Sequence, residues 1–240
     1  MRHKLLTFVM IACLLFPVLT TIAMISYPGG TRQDPHTVGY RFFENFFSEL
    51  GLTQSHAGGP QTASFILFTI ALSLAGAALI IYYLLAPSLF HQNTAQRITS
   101  WTGSFFGLVS GASFVGVAFT LADVYLAPHA LFVQLAFIAF FIAVTFYAAA
   151  IFLHPEFPDR YAWVNLSFGL LLGVYIWLLF NGPAADTIYG LVIQVTGQKL
   201  IAYAAVACMF VIAYGTRHVL DHTKGTAHTR IIPGEQPSSG

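Results

Sequence analysis

The chain has 240 residues, of which 57% are hydrophobic and only 8% are Asp, Glu, Lys or Arg. Soluble domains carry roughly a quarter charged residues, so this composition excludes an ordinary water-soluble globule. A formal net charge of +1 without a basic patch excludes nucleic acid as a partner.

A bilayer crossing takes about 20 mostly apolar residues. Six stretches qualify, near 5–26, 62–86, 99–121, 129–153, 161–180 and 196–216. The expected fold is all-α: one polytopic six-transmembrane-helix bundle over 1–217, followed by a largely disordered cytoplasmic tail, 218–240.

The first stretch follows Arg2 and Lys4 in the manner of a signal peptide. Its apolar run is longer than the roughly 7–15 residues of a signal-peptide core, so it is expected to stay as a helix. Pro17 should kink that helix, because proline removes a backbone donor and crowds the preceding turn.

Next comes the longest connection, Tyr27 to Gln61, and a connection of this length usually carries structure or function. Within it, Gly39–Gly51 has helical periodicity: Tyr40, Phe43, Phe47 and Leu50 fall on one face, Arg41, Glu44 and Ser48 on another. Arg41, Asn45 and Glu49 stand four apart and would support a turn. The segment predicts an amphipathic helix lying in the outer interface and stopped by Gly51.

The third span carries Gly103, Gly107, Gly111, Ala112 and Gly116, and the fifth carries Gly169 and Gly173. Small residues at this spacing let helices approach closely, and packing within one bundle is expected rather than a dimer seam. Cys13 and Cys208 lie inside apolar stretches and read as small buried hydrophobes. The sixth span is interrupted by Gln194, Thr196, Gln198 and Lys199, so it is expected to begin after Gly197, with 184–196 as an interfacial lead-in. A single helix from Ile188 would instead set Lys199 deep in the bilayer.

Orientation follows the basic residues. With the N-terminus inside, Arg2, Lys4, Arg97, Arg160, Arg217, Lys224 and Arg230 collect on the inner side, against Arg32 and Arg41 outside. Tyr82, Tyr83, Trp101 and Trp163 sit at the matching inner boundaries. This predicts that both termini lie in the cytoplasm.

Outside, Ser48, Asp123, His129, Asp186, Gln198 and Lys199 are expected at one depth, beside Arg41, Glu44 and Glu49. Such ionisable groups near a bilayer are costly and mark function more often than surface charges do. Ser48, Asp123 and His129 are the residue types of a nucleophile, an orienting acid and a base, with Lys199 to hold an oxyanion or a lipid phosphate. Arg41, Glu44, Glu49, Asp186, Gln198 and Lys199 form the alternative, a ligand-binding set. His36, His56 and His129 lack the close i, i+4 spacing of a zinc motif, and His218 with His222, which have it, lack an identifiable third ligand, so neither metal nor cofactor is expected.

Phe47-Ser48-Glu49-Leu50-Gly51 after a first span resembles the Ser-Asp/Glu-Leu-Gly signature of the bacterial and archaeal membrane family called domain of unknown function 998. Asp123 followed by His129 is similar to that family's outer loop, and Gly197-Gln198-Lys199-Leu200-Ile201 to its Gly-x-x-Glu-Arg-Ile pattern. Gln198 and Lys199 stand where that pattern has Glu and Arg. The resemblance covers roughly 5–215 and implies a six-helix bundle with no established activity.

The leading expectation is a protein that binds a lipid headgroup or small amphipathic ligand at an outer polar site, or an accessory subunit with a membrane partner or a second copy. A lipid hydrolase or acyl transferase using Ser48, His129 and Asp123 is the alternative. A small-molecule transporter comes third, since no internal repeat is evident.

Overall fold

A computed structural model describes residues 1–229, with side chains described through Asp221. Six helices make up the body: α1 (Arg2–Ile25), α2 (Thr62–Leu85), α3 (Thr94–Phe119), α4 (Leu126–Phe152), α5 (Arg160–Asn181) and α6 (Ile188–Thr229). All six are long and apolar enough to cross a membrane, and the chain is an integral, multi-pass membrane protein. Among the described residues there is no strand, and the pairing is limited to single bridges, Gly29 with Val38 and Gln54 with Pro60.

From α2 onward, short connections make successive helices antiparallel neighbours. Each packs on the next, and α6 returns to α1, which closes a ring. Two polar contacts fasten that last seam: Arg217 Nη1 donates to Thr7 Oγ1 at 3.0 Å, and His3 faces Asp221 at 3.5 Å. Residues 3–7 and 217–221 therefore share one end of the bundle, and residues 27–61 cap the other. The outward surface is apolar, with Leu14, Leu84, Phe105, Leu170 and Trp177 each more than half exposed.

In hydrocarbon there is little hydrophobic drive between helices, so close packing has to hold the ring. The glycines of α3 supply it within the bundle, as expected. A Cβ on Gly111 would stand 2.8 Å from the Gly76 carbonyl of α2, so these two backbones touch. Tyr83 fills the notch left by Gly107, and Tyr147 the notch at Gly103. The same aromatic cluster takes in Tyr82, Phe90, Phe157 and Tyr161 toward the termini. Two of its buried hydroxyls are paired, Tyr147 with Ser104 at 2.6 Å and Tyr82 with Thr216 at 3.3 Å.

Helix boundaries depart from expectation in α6. It starts at Ile188 without a break at Gly197 and runs on to Thr229, so the first part of the expected tail is helical. Residues 230–240, with Arg230, lie outside the described residues. At the other end of α1, the Thr20 and Thr21 hydroxyls donate to the Phe16 and Pro17 carbonyls at 2.8 and 2.7 Å. These hydroxyls back-bond within the turn that follows Pro17, whereas the carbonyl that proline leaves without its helical donor is that of Cys13, one turn earlier.

Between α4 and α5, His154 is buried edge-on to Phe90 and Phe157. Its Nδ1 accepts from the Glu156 N–H at 3.2 Å, which requires a neutral ring. Burial first, and His91 second, pull its pKa below the ordinary 6.5, partly offset by the Leu89 carbonyl and the Glu156 carboxylate. A depressed histidine disfavours the protonated fold, so its stabilisation is complete above the unfolded value and lost as pH falls below about 6.5. Melting in detergent at pH 7.5 and pH 5.0 should fall for wild type and fall less for His154→Gln.

Candidate functional site

The cap is built around one carboxylate. Glu49, 1% exposed, ends its side chain among three groups drawn from separate turns of the loop. Arg32 Nε donates to its Oε1 at 3.0 Å, and Asn45 Nδ2 donates to its Oε2 at 2.8 Å. His56 Nε2 faces the same Oε1 at 3.1 Å, off-line for a hydrogen bond. A buried carboxylate requires such compensation, because isolated charge in a poorly hydrated interior is costly.

This geometry needs the loop to cross itself tightly. Gly30 adopts φ +86°, and a Cβ there would lie 2.3 Å from the Ala57 nitrogen. Only glycine fits a backbone so placed. Tyr27 and Tyr40 line the crossing as neutral donors. Burial first, with Glu49 nearby, lifts Tyr27 to about 12 and Tyr40 well above its ordinary value.

Asn45, fully buried, joins the cap to the bundle. Its Oδ1 accepts from the Arg41 N–H at 2.8 Å, and its Nδ2 also reaches the Gly30 carbonyl at 2.9 Å. Its own carbonyl accepts from Tyr40 Oη at 2.9 Å and from Lys199 Nζ. Asn45 thus bridges the buried anion and the buried cation.

Lys199 lies about three turns into α6 and is 1% exposed, the deep placement that a continuous helix from Ile188 implies. The ammonium sits over three rings, Phe42 at 5.1 Å, Tyr40 at 5.2 Å and Phe47 at 5.8 Å from their centroids. Such faces attract a cation, more so where water is excluded. Next to it, Gln198 Oε1 accepts from the Phe47 N–H at 2.7 Å.

The expected amphipathic helix shrinks to a 3₁₀ turn at Phe47–Gly51, and Arg41–Asn45 forms turns instead. Glu49 takes its cation from Arg32, not from Arg41. Among the described residues, the Arg41 guanidinium and the Glu44 carboxylate have no ion-pair partner. Asp186 contributes its backbone carbonyl, which accepts from Gln33 Nε2 at 2.8 Å.

The Ser48–His129–Asp123 relay is not assembled. Asp123 Oδ2 accepts from Thr53, from its N–H at 2.8 Å and its hydroxyl at 2.6 Å, and so straps the loop to the α3–α4 turn. His129 Nδ1 donates to the Thr120 carbonyl, which fixes the ring against its own turn. Ser48 is half-buried and makes no hydrogen bond among the described residues. Among those residues no three His, Cys, Asp or Glu side chains gather as metal ligands would.

Below the cap the ring is hollow. One cavity of about 60 Å³ lies directly under Ser48 and Gln198, walled by Phe16, Phe47, Phe114 and Ala202. A second of about 60 Å³ adjoins it toward the termini, lined by Cys13, Ala75, Ala78, Ala205 and Met209. Phe16, Leu72, Phe114 and Ala202 border both. Alanines at 75, 78, 202 and 205 leave space between the larger side chains of Phe16, Phe114 and Met209.

The sequence singled out Glu49, Gln198 and Lys199, and these do converge. It gave Asn45 only a supporting part and missed Arg32, His56 and Gln61, which donates to the Glu49 and Leu52 carbonyls at 2.7 Å each. No family model, curated protein or solved structure matches the chain.

Proposed function

We propose that this protein binds an amphipathic molecule at its capped end, with the polar part of the ligand under the loop and the apolar part in the ring. The observation that carries this reading is the pair of adjoining apolar cavities whose roof alone is polar. Ligand sites are concave, mostly apolar and oriented by a few polar groups, and this hollow has that character. The resemblance at Ser48–Gly51 and at Gly197–Ile201 falls on the same two segments, which form the roof.

The setting we propose is a prokaryotic cytoplasmic membrane with the cap outside. Its support is the distribution of cations: Arg2, Lys4, Arg97, Arg160 and Arg217 at the termini end, against Arg32 and Arg41 in the cap.

Ala202 borders both cavities, so Ala202→Phe fills them without touching the fasteners of the cap. Native mass spectrometry of the purified protein should find wild type carrying a bound lipid-like mass and Ala202→Phe stripped of it, at comparable melting temperatures. Equal retention of that mass in both, or none in wild type, would remove the reading.

A further inference from the structure

We propose that the ligand is uncharged at its polar end, a slender single-chain alcohol whose hydroxyl sits between Ser48 Oγ and the side-chain amide of Gln198. This rests on the reading of the hollow as an amphiphile site and adds the chemistry of the head.

The buried charged groups near the roof, Glu49 and Lys199, are already engaged. Glu49 has Arg32, His56 and Asn45, and Lys199 has the Asn45 carbonyl and three aromatic faces. Neither lines the hollow. A carboxylate or phosphate entering there would lose its hydration and meet no cation, which is strongly unfavourable.

What remains unused along the cavity wall is neutral. The Phe47 N–H holds Gln198 Oε1, and this fixes the amide so that its two N–H donors turn elsewhere. Among the described residues neither donor has an acceptor, and Ser48 Oγ has no partner of any kind. Both residues border the upper cavity, whose other walls are apolar. A hydroxyl matches this pair: its oxygen accepts from Gln198 Nε2, and its proton is donated to Ser48 Oγ.

The tail follows from the shape. Each cavity is about 60 Å³. A cavity of about 150 Å³ holds one benzene, so neither hollow holds a ring, and a narrow chain that runs through both and on out of their open side is favoured. Beyond Ala202 that chain passes between Cys13, Ala75, Ala78 and Ala205.

The test uses three photoreactive probes with the same eight-carbon diazirine chain, ending in a hydroxyl, a carboxylate or a phosphate. Each is crosslinked to the full chain in nanodiscs, and labelled residues are mapped by mass spectrometry. The alcohol should label the cavity walls, Phe114, Ala202 and Met209, and the two anions should not. Ser48→Ala removes no internal hydrogen bond, so it should keep the wild-type melting temperature. It should weaken competition by unlabelled 1-octanol about three- to ten-fold, the effect of one neutral hydrogen bond.

Stronger labelling of those walls by the carboxylate or phosphate probe, or unchanged competition in Ser48→Ala, overturns the uncharged head and leaves amphiphile binding standing. Absence of wall labelling by every probe, or labelling unaffected by Ala202→Phe, overturns both.

Discussion

Glu49→Gln should release the cap while leaving the six helices in place. The substitution keeps the shape of the side chain and removes its charge, so Arg32 and His56 lose their anion and the buried Lys199 loses the one carboxylate buried beside it in the cap. Breaking a buried pair typically costs about 3–5 kcal/mol. The Arg32 side chain is 47% exposed and can turn to water, which puts this case at the low end, about 3 kcal/mol. Because the cap is attached at a few polar points, the loss should appear as local opening rather than global unfolding. Protease cleavage within 27–61 should therefore accelerate about 100-fold in detergent, while the helical circular dichroism hardly changes. Arg32→Gln, acting on the exposed partner, should accelerate cleavage far less. Equal cleavage rates for wild type and Glu49→Gln would show that the carboxylate does not hold the cap.

The second large effect is a single methyl group. In Gly107→Ala the new Cβ would lie 2.1 Å from the Tyr83 ring, which is buried against Tyr82 and Tyr147 and has nowhere to retreat. Overpacking of this kind costs about 1–3 kcal/mol, and displacement of an interlocked ring puts Gly107→Ala at the upper end. Gly169→Ala is the contrast. Its Cβ would meet Val144 at 3.6 Å, an ordinary contact, and alanine suits a helix better than glycine by up to about 1 kcal/mol. Melting in detergent should therefore fall by several degrees for Gly107→Ala and hold or rise for Gly169→Ala. Similar shifts in both would mean that the fit of Tyr83 into α3 is not what holds α2 there.

Those two glycines read alike in the sequence, since each belongs to a run of small residues four apart. Spacing identifies a helix face open to close approach, but only the neighbour decides whether the space is filled. The spans themselves were legible because twenty apolar residues have few other fates. The start of α6 was not. Gln194, Gln198 and Lys199 look like a break when the bilayer is assumed to be their solvent. They are instead solvated by protein: Gln194 by the Leu178 and Pro183 carbonyls, Gln198 by Phe47, Lys199 by Asn45.

The cap failed for a related reason. Setting Arg41, Asn45 and Glu49 on one face assumes a helix, whereas Glu49 finds its cation at Arg32, 17 positions away. Asp123 and His129 were placed near one another by topology, but hydrogen bonds to Thr53 and Thr120 decide where each side chain points. Which end of the bundle each residue occupies was readable, and the direction of its side chain was not.

The closing of the ring by α1 and α6 also sets an order in time. A chain inserted from its N-terminus places α1 in the bilayer long before its second neighbour exists, and the seam at Thr7 and Arg217 joins residues 210 positions apart. The loop waits in the same way, since Phe47 and Asn45 find Gln198 and Lys199 only after 151 and 154 further positions. Through most of synthesis the bundle is an open arc with an unlatched loop, and the emergence of α6 completes the ring and seats the cap together.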